Sequence, residues 1–248
     1  MIGKILVFTT DNASNMTTFY DSIYEKIKLY SPQVTNFGCG CHIINLAVQS
    51  GVSELSMCVE NLRNINKKLK DSPKQIKNFP LGFKTPKLDV KTRWNSFYYM
   101  INDSLAMKDI YNRMPQTKQL ETEWDTLSEL SKFLELYEQA TNFMGCHKYP
   151  TISMLYKIIK ILFEKTANIL SNNNDIIRSA SKMLIYFEKY WGELKLAGLL
   201  AAFIDPRFKS EILSSFPDIK ERLATIYLLY ISISPPKHKK LHQKSIHF

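Results

Sequence analysis

Three short constellations in this 248-residue chain carry side chains able to do chemistry. Asp11 follows the apolar, β-branched run Lys4–Thr10, where open parallel sheets place their active-site carboxylates. A nuclease working through two Mg²⁺ ions roughly 4 Å apart needs several such carboxylates. Asp11, Ser14 and Asn15 equally suit the cap of a following helix, and both readings stand at this level. Cys39-Gly40-Cys41-His42 gathers soft metal ligands, but a structural zinc needs four, usually as two separated pairs. The other Cys/His pair, Cys146-His147, consists of neighbours that fit one tetrahedral centre poorly, so no zinc is expected. A buried thiol at a strand-to-helix junction suits the first group better. In Asp89-Val-Lys-Thr-Arg-Trp-Asn-Ser96, Arg93 offers a guanidinium for phosphate and Trp94 a flat face for an unstacked base. Trp94 also fits as a core aromatic of the helix it begins. There is no glycine-rich phosphate cradle, no Gly-x-Ser-x-Gly elbow and no His-Glu-x-x-His.

Charge singles out the third constellation. The chain has a formal net charge of +10, with 33 basic and 23 acidic side chains. Ten of the basic residues lie between Arg63 and Arg93, against two acids, Asp71 and Asp89. Four more lysines, Lys237, Lys239, Lys240 and Lys244, fall in the tail after Pro235. Charge concentrated in this way is the footprint expected of phosphate contacts, whose counterions are released on binding. A solvated, lysine-rich connector is the other reading of the same residues.

The elements that must position these groups follow from hydrophobic periodicity. Lys4–Thr10 predicts a buried strand, Phe19, Ile23, Ile27 and Tyr30 a helix, Val34–Phe37 a second strand, and His42–Gln49 a helix. Strand and helix alternate over the first fifty residues, which is an α/β pattern. Thereafter the spacing is helical throughout. Helices are predicted around Leu55–Leu69, Trp94–Leu105, Trp124–Thr141 and Ile152–Ile169. Others follow at Ile176–Leu194, Leu196–Ile204 and Asp218–Ile231. The stretch Ser72–Lys91, punctuated by Pro73, Pro80 and Pro86, reads as an extended loop. Two strands alone make a marginal sheet, so the α/β piece reads as half of something.

At 45% hydrophobic and 12% aromatic residues the chain can bury a core. Four scattered cysteines point to a reducing compartment rather than a disulfide framework. The N-terminal run reads as a strand rather than a signal peptide, and no apolar stretch suffices to span a bilayer.

Six segments, in order, resemble the motifs of hAT-superfamily transposases. They are Thr10–Asn15, Cys39-x-x-His42 with Ile43–Val48, Asp89–Ser96, Tyr149–Ile152, Lys189–Gly192 and Ile204–Lys209. The branch they resemble most is the ricesleeper and BED-zinc-finger one. The resemblance implies a mainly α chain with a small α/β part, an incomplete RNase H-like core followed by an all-helical insertion domain. It implies Mg²⁺-dependent DNA strand cleavage and transfer, with an Asp-Asp-Glu triad holding the metals. Asp11 matches the second aspartate and is the metal ligand of an intact core. Cys39 and His42 match the element beside the active site, and Trp94 matches the tryptophan that stabilises a flipped base. Trp124, Trp191 and Asp205 look like structural positions.

The same comparison brings departures. No residue here matches the family's first aspartate or its glutamate, and neither the dimerisation segment nor a BED finger is recognisable. The expectation is therefore an internal, catalytically incomplete fragment that binds DNA in the nucleus and does not hold Mg²⁺ by itself. Homo-oligomers belong to the intact family, and no membrane partner is expected. Residues 1–50 would form the partial core, 51–234 the insertion domain and 235–248 a disordered basic tail. Lys74, Lys77, Lys84, Lys87, Lys91, Arg93 and Trp94 would meet the DNA. A helical interaction scaffold, or part of an active transposase whose ends are missing from the gene model, are the alternatives.

Overall fold

The computed structural model describes residues 7–10, 14–28, 35–71, 84, 86–90, 93–145 and 151–233. They fall into two compact units, one drawn from residues 1–39 and 199–248, the other from residues 40–198. Helices dominate both, so the protein is mainly α with a small α/β part.

In the first unit, strands β1 (Val7–Thr10) and β2 (Thr35–Gly38) pair in parallel, with Val7 opposite Thr35 and Thr10 opposite Gly38. The Cys39 N–H extends the ladder to the Thr10 carbonyl at 2.7 Å. Helix α1 (Ser14–Lys28) is the crossover that a parallel pair requires. These elements match the strand–helix–strand reading of the sequence. Asp11 lies outside the described residues.

The second unit begins with α2 (Gly40–Val52), a 3₁₀ turn (Ser53–Leu55) and α3 (Ser56–Lys70). It continues with α4 (Trp94–Leu105), the short α5 (Lys108–Tyr111) and a 3₁₀ segment (Pro115–Leu120). Helices α6 (Trp124–Met144) and α7 (Ile152–Ala167) follow. Helix α2, expected in a piece ending at residue 50, packs instead on α4 and α6 of this unit. The cause is its apolar face: Ile43, Ile44, Ala47 and Val48 are all buried. Val59, Leu62, Ile65 and Leu69 make the matching stripe on α3. Trp124 is buried, donating its Nε1–H to Asn112 Oδ1 at 2.8 Å and meeting the Tyr111 ring edge-on. Trp191 stacks on Tyr156 and Phe163. Both are structural tryptophans, as the resemblance implied.

Where two helices were expected between Ile176 and Ile204, one helix, α8 (Asn174–Ile204), runs unbroken for 31 residues. No proline interrupts the ladder, and neighbouring apolar turns hold it together. Two short elements escaped the periodicity, α5 and α9 (Lys209–Ser215), since neither spans two full turns. Asp205 closes the corner between α8 and α9, accepting the Arg207 N–H at 3.0 Å and binding the same residue's guanidinium at 2.7 Å. Helix α10 (Ile219–Ile233) ends the described chain, with Ile219 buried in the first unit together with Phe203 and Ile212.

Two glycines of α8 make opposite predictions. A Cβ at Gly198 would stand 2.9 Å from the Tyr156 backbone nitrogen and 3.1 Å from Tyr156 Cβ, whereas one at Gly192 would meet nothing within 4 Å. Gly198→Ala is expected to destabilise by about 1–3 kcal/mol through overpacking. Gly192→Ala is expected to stabilise by roughly 0.5–1 kcal/mol through helix propensity. Urea unfolding of the two variants reads both signs.

Glu54 in the 3₁₀ turn binds Lys182, and Arg178 Nε lies 3.4 Å from its other oxygen. The hydrogen bond from Lys182, assisted by both positive charges, holds the Glu54 carboxyl below its ordinary value. A lowered folded-state pKa means that the ion pairs contribute fully at neutral pH and fade as the pH falls through that value. Between pH 7 and pH 3 the urea midpoint of the wild type is therefore expected to drop further than that of Glu54→Gln.

Candidate nucleic-acid interface

The part of the basic connector that is described forms an extended strap running back along α4. Near the C-terminal end of that helix the Lys84 N–H points at Met107 Sδ, 3.4 Å away. Lys87 Nζ then reaches Asp103 Oδ2 at 3.1 Å. Asp89 turns inward to Arg63 on α3, and Val90 pairs with Arg93 in a single antiparallel bridge at the start of α4. Lys84, Lys87 and Arg93 are exposed. The strap thus displays three cations over a span on the order of 18 Å, the rise of a 12-residue helix. The ion pair of Lys87 is exposed on both sides and holds its ammonium only weakly. The last turn of α3 adds the exposed Lys67, Lys68 and Lys70.

At the N-terminal end of α4 lies an open hollow of about 520 Å³ between α2, α4 and α6. His42 and Asn45 come from α2, Arg93, Trp94 and Ser96 from the motif, and Thr141 from α6. Asn45 arises from the local pattern of α2. It is the polar residue in the otherwise apolar run Ile43–Val48, and its Oδ1 accepts the Trp94 N–H at 3.2 Å. That bond satisfies a helix-terminal donor for which α4 has no side-chain cap of its own. Tyr99 stands at the rim and donates to Glu138 Oε1 at 2.5 Å, which with partial burial raises its hydroxyl pKa. Two buried polar atoms of this wall have no hydrogen-bond partner, Trp94 Nε1 and Thr141 Oγ1.

His42, Arg93 and Trp94 therefore share one hollow, and Lys84 and Lys87 share the strap. Trp94 is only 4% exposed, so the ring is packed in the core as well as bordering the hollow. Cys39 belongs to the other unit and is half-buried. Asp11, Lys74, Lys77 and Lys91 lie outside the described residues, as do Cys146, His147 and the four tail lysines. Asn45, Thr141 and the Arg63–Asp89 pair were not picked out from the sequence. For Asn45 the lone polar position on an apolar face was the available signal.

Family models match both halves of the chain. Residues 37–133 match the ZBED1 RNase-like helical domain, and residues 152–233 match the hAT-like transposase, RNase-H fold. The putative AC transposase of Zea mays is 26% identical over 276 residues, covering 95% of this chain and 34% of the relative. The zinc finger BED domain-containing protein RICESLEEPER 3 of Oryza sativa subsp. japonica is 25% identical, covering 86% of this chain and 31% of the relative. The chain belongs to the hAT transposase family. It spans about a third of the length of these curated relatives.

Within this hAT-family chain the motif Asp89–Ser96 is the junction of strap and hollow. Family chemistry implies Mg²⁺ held by carboxylates, but among the described residues no group of three or more His, Cys, Asp or Glu side chains could hold a metal. Asp11, the carboxylate that the resemblance assigns to that ion, lies outside the described residues, and no cleavage step is assigned to the others. Among the described residues no helix is long and apolar enough to cross a membrane.

Because Asn45 supplies the missing cap of α4 from a neighbouring helix, Asn45→Ala is expected to cost about 1–2 kcal/mol by stranding the Trp94 N–H. Chemical denaturation monitored by circular dichroism checks this value.

Proposed function

We propose that this chain is the DNA-contacting part of a hAT-like transposase. The observation that carries the reading is the strap, on which Lys84, Lys87 and Arg93 are laid out along α4 and lead to the hollow. On a duplex with one phosphate per strand every ~3.4 Å, a span of roughly 18 Å runs past about five phosphates of one strand. Arg93 would bind a backbone phosphate at the mouth of the hollow. His42, Asn45 and Ser96 line a wall suited to a phosphate or base edge drawn out of the helix. Lys74, Lys77 and Lys91 belong to the same connector and are proposed to extend the track. Cleavage and transfer belong to the whole protein. Asp11 would be one of the carboxylates holding Mg²⁺ in its intact core, and Cys39 would stand with His42 beside that centre. The working compartment is then the nucleus.

A second reading has its own observation. Helices α6 and α7 leave an apolar groove of about 180 Å³, bordered by Leu136, Phe143, Met154, Ile158 and Ile161, with Phe143 and Ile161 exposed. An exposed apolar groove suits a helical interaction scaffold better than a DNA track.

Fluorescence anisotropy with hairpin and duplex DNA at several salt concentrations separates the two. Affinity is expected to fall steeply with salt. Replacing Lys84, Lys87 and Arg93 together by Ala should flatten the slope of log K against log salt by about 3. Absence of binding at low salt would sink the DNA reading. A slope unchanged by the triple variant would show that these cations are not the track.

A further inference from the structure

Residues 89–96 are tied to the helical unit at points that phosphate contact does not use. The Asp89 side chain is 3% exposed, and its two oxygens accept hydrogen bonds from Arg63 Nε and Nη2, each at 2.7 Å. This is a two-pronged fork, a geometry that guanidinium can offer and ammonium cannot. Arg63 also binds Glu60, and the hydrogen bond to Asp89 raises the Arg63 pKa further, so the cation is permanent. On the other side of the fork, the Val90 N–H donates to Ser96 Oγ at 2.7 Å and the Arg93 N–H to the Val90 carbonyl at 2.8 Å. The Ser96 hydroxyl lies 2.6 Å from the Arg93 carbonyl. Asn45 holds the next N–H, that of Trp94. Backbone is thus fixed on both sides of Arg93 while its side chain faces solvent.

We propose that Arg63 and Asp89 are positioning residues, whose half-buried fork anchors the strap so that Arg93 is held in place to meet a DNA phosphate. This rests on the DNA-binding reading above. An exposed ion pair would not anchor a loop, because water competes for both partners. A fork that closes over a buried carboxylate does, because separating it leaves that carboxylate uncompensated. It also takes Arg63 out of the phosphate-binding set, although Arg63 opens the basic stretch of the sequence. Holding Arg93 beforehand spares the ordering cost that a floppy lysine-rich loop meets on binding.

A double-mutant cycle tests the coupling, with Asp89→Asn and Arg93→Ala singly and together, read by anisotropy with hairpin DNA at two salt concentrations. Asp89→Asn is expected to weaken binding about tenfold beside Arg93 and less than twofold when residue 93 is Ala. It should also flatten the salt slope by about 1, as loss of a single phosphate contact does. Effects that simply add would overturn the proposal. Arg63→Lys, which keeps the charge and loses the fork, is expected to copy Asp89→Asn, and wild-type affinity in that variant would count against it equally. Circular dichroism melts confirm that each variant is folded. A measurement without DNA separates anchoring from binding. Trypsin cleavage between Arg93 and Trp94, followed by mass spectrometry, should speed up tenfold or more in Asp89→Asn. An unchanged rate refutes the anchor even if DNA binds. If the wild type binds no DNA while the cleavage rate responds, the DNA reading falls, and the phosphate role of Arg93 falls with it.

Discussion

The burial of α4 is the constraint on which the helical unit depends. Trp94, Phe97, Tyr98, Met100 and Ile101 are buried along it, so one broad face of the helix is closed off from water. A helix in that position must place its polar groups with partners, because water does not reach them. Asparagines do this three times, each against a different helix. Asn45 of α2 accepts the Trp94 N–H. Asn66 of α3 donates to Ser104 at 3.1 Å and accepts from Tyr111 at 2.7 Å. Asn102 of α4 itself accepts from Ser131 of α6. Apolar contact alone would let α4 slide or rotate among near-equivalent packings. These hydrogen bonds select a single register, and the register sets where the strap lies.

From that register the interface follows in steps. Asp103 and Met107, late in α4 and just beyond it, meet Lys87 and Lys84 of the strap. Its first turn carries Ser96, which closes the strap onto the helix start. The cations are therefore displayed along a rigid element rather than on a free loop. Burial also decides which cysteines matter. Cys58 is driven up to about 12 by burial, with the charges of Glu123 and Asp175 adding to the effect, so its thiol stays protonated and inert at neutral pH.

Much of this fold is legible in the chain because long amphipathic helices declare themselves by period. Leu55, Val59, Leu62, Ile65 and Leu69 outline α3, and the β-branched run before Asp11 outlines β1. What was not legible is of two kinds. Short elements such as α5 and α9 hold too few residues for a period to emerge. Tertiary pairings carry no local signal at all. Arg63 and Asp89 lie 26 residues apart, and each looked like a surface charge of a basic stretch until the fold brought them together. Asn45 and Asn66 likewise appear in sequence as polar interruptions of apolar stripes, whereas in the structure they are the reason those stripes keep register. The hollow was half legible, since His42 and Trp94 stand in recognisable motifs. Thr141, in the last turn of a long helix, gave no hint that it would border the same space.

Trp94 sharpens what kind of contact the hollow can make. A stacking platform needs an open ring face, and this ring is 4% exposed. Its indole N–H is buried and unpartnered, as is the Thr141 hydroxyl on the same wall. An unsatisfied buried donor costs free energy unless something accepts from it. Neither atom is open to solvent, so a group entering the hollow meets them only if the wall shifts. Stacking would require the ring to leave its packing, and the lost core contacts would oppose it. On the proposed reading, charge on the strap supplies the attraction, and the polar lining residues His42, Asn45 and Ser96 supply the local preference. Aromatic stacking at Trp94 would follow only if the DNA drew the ring out of the core.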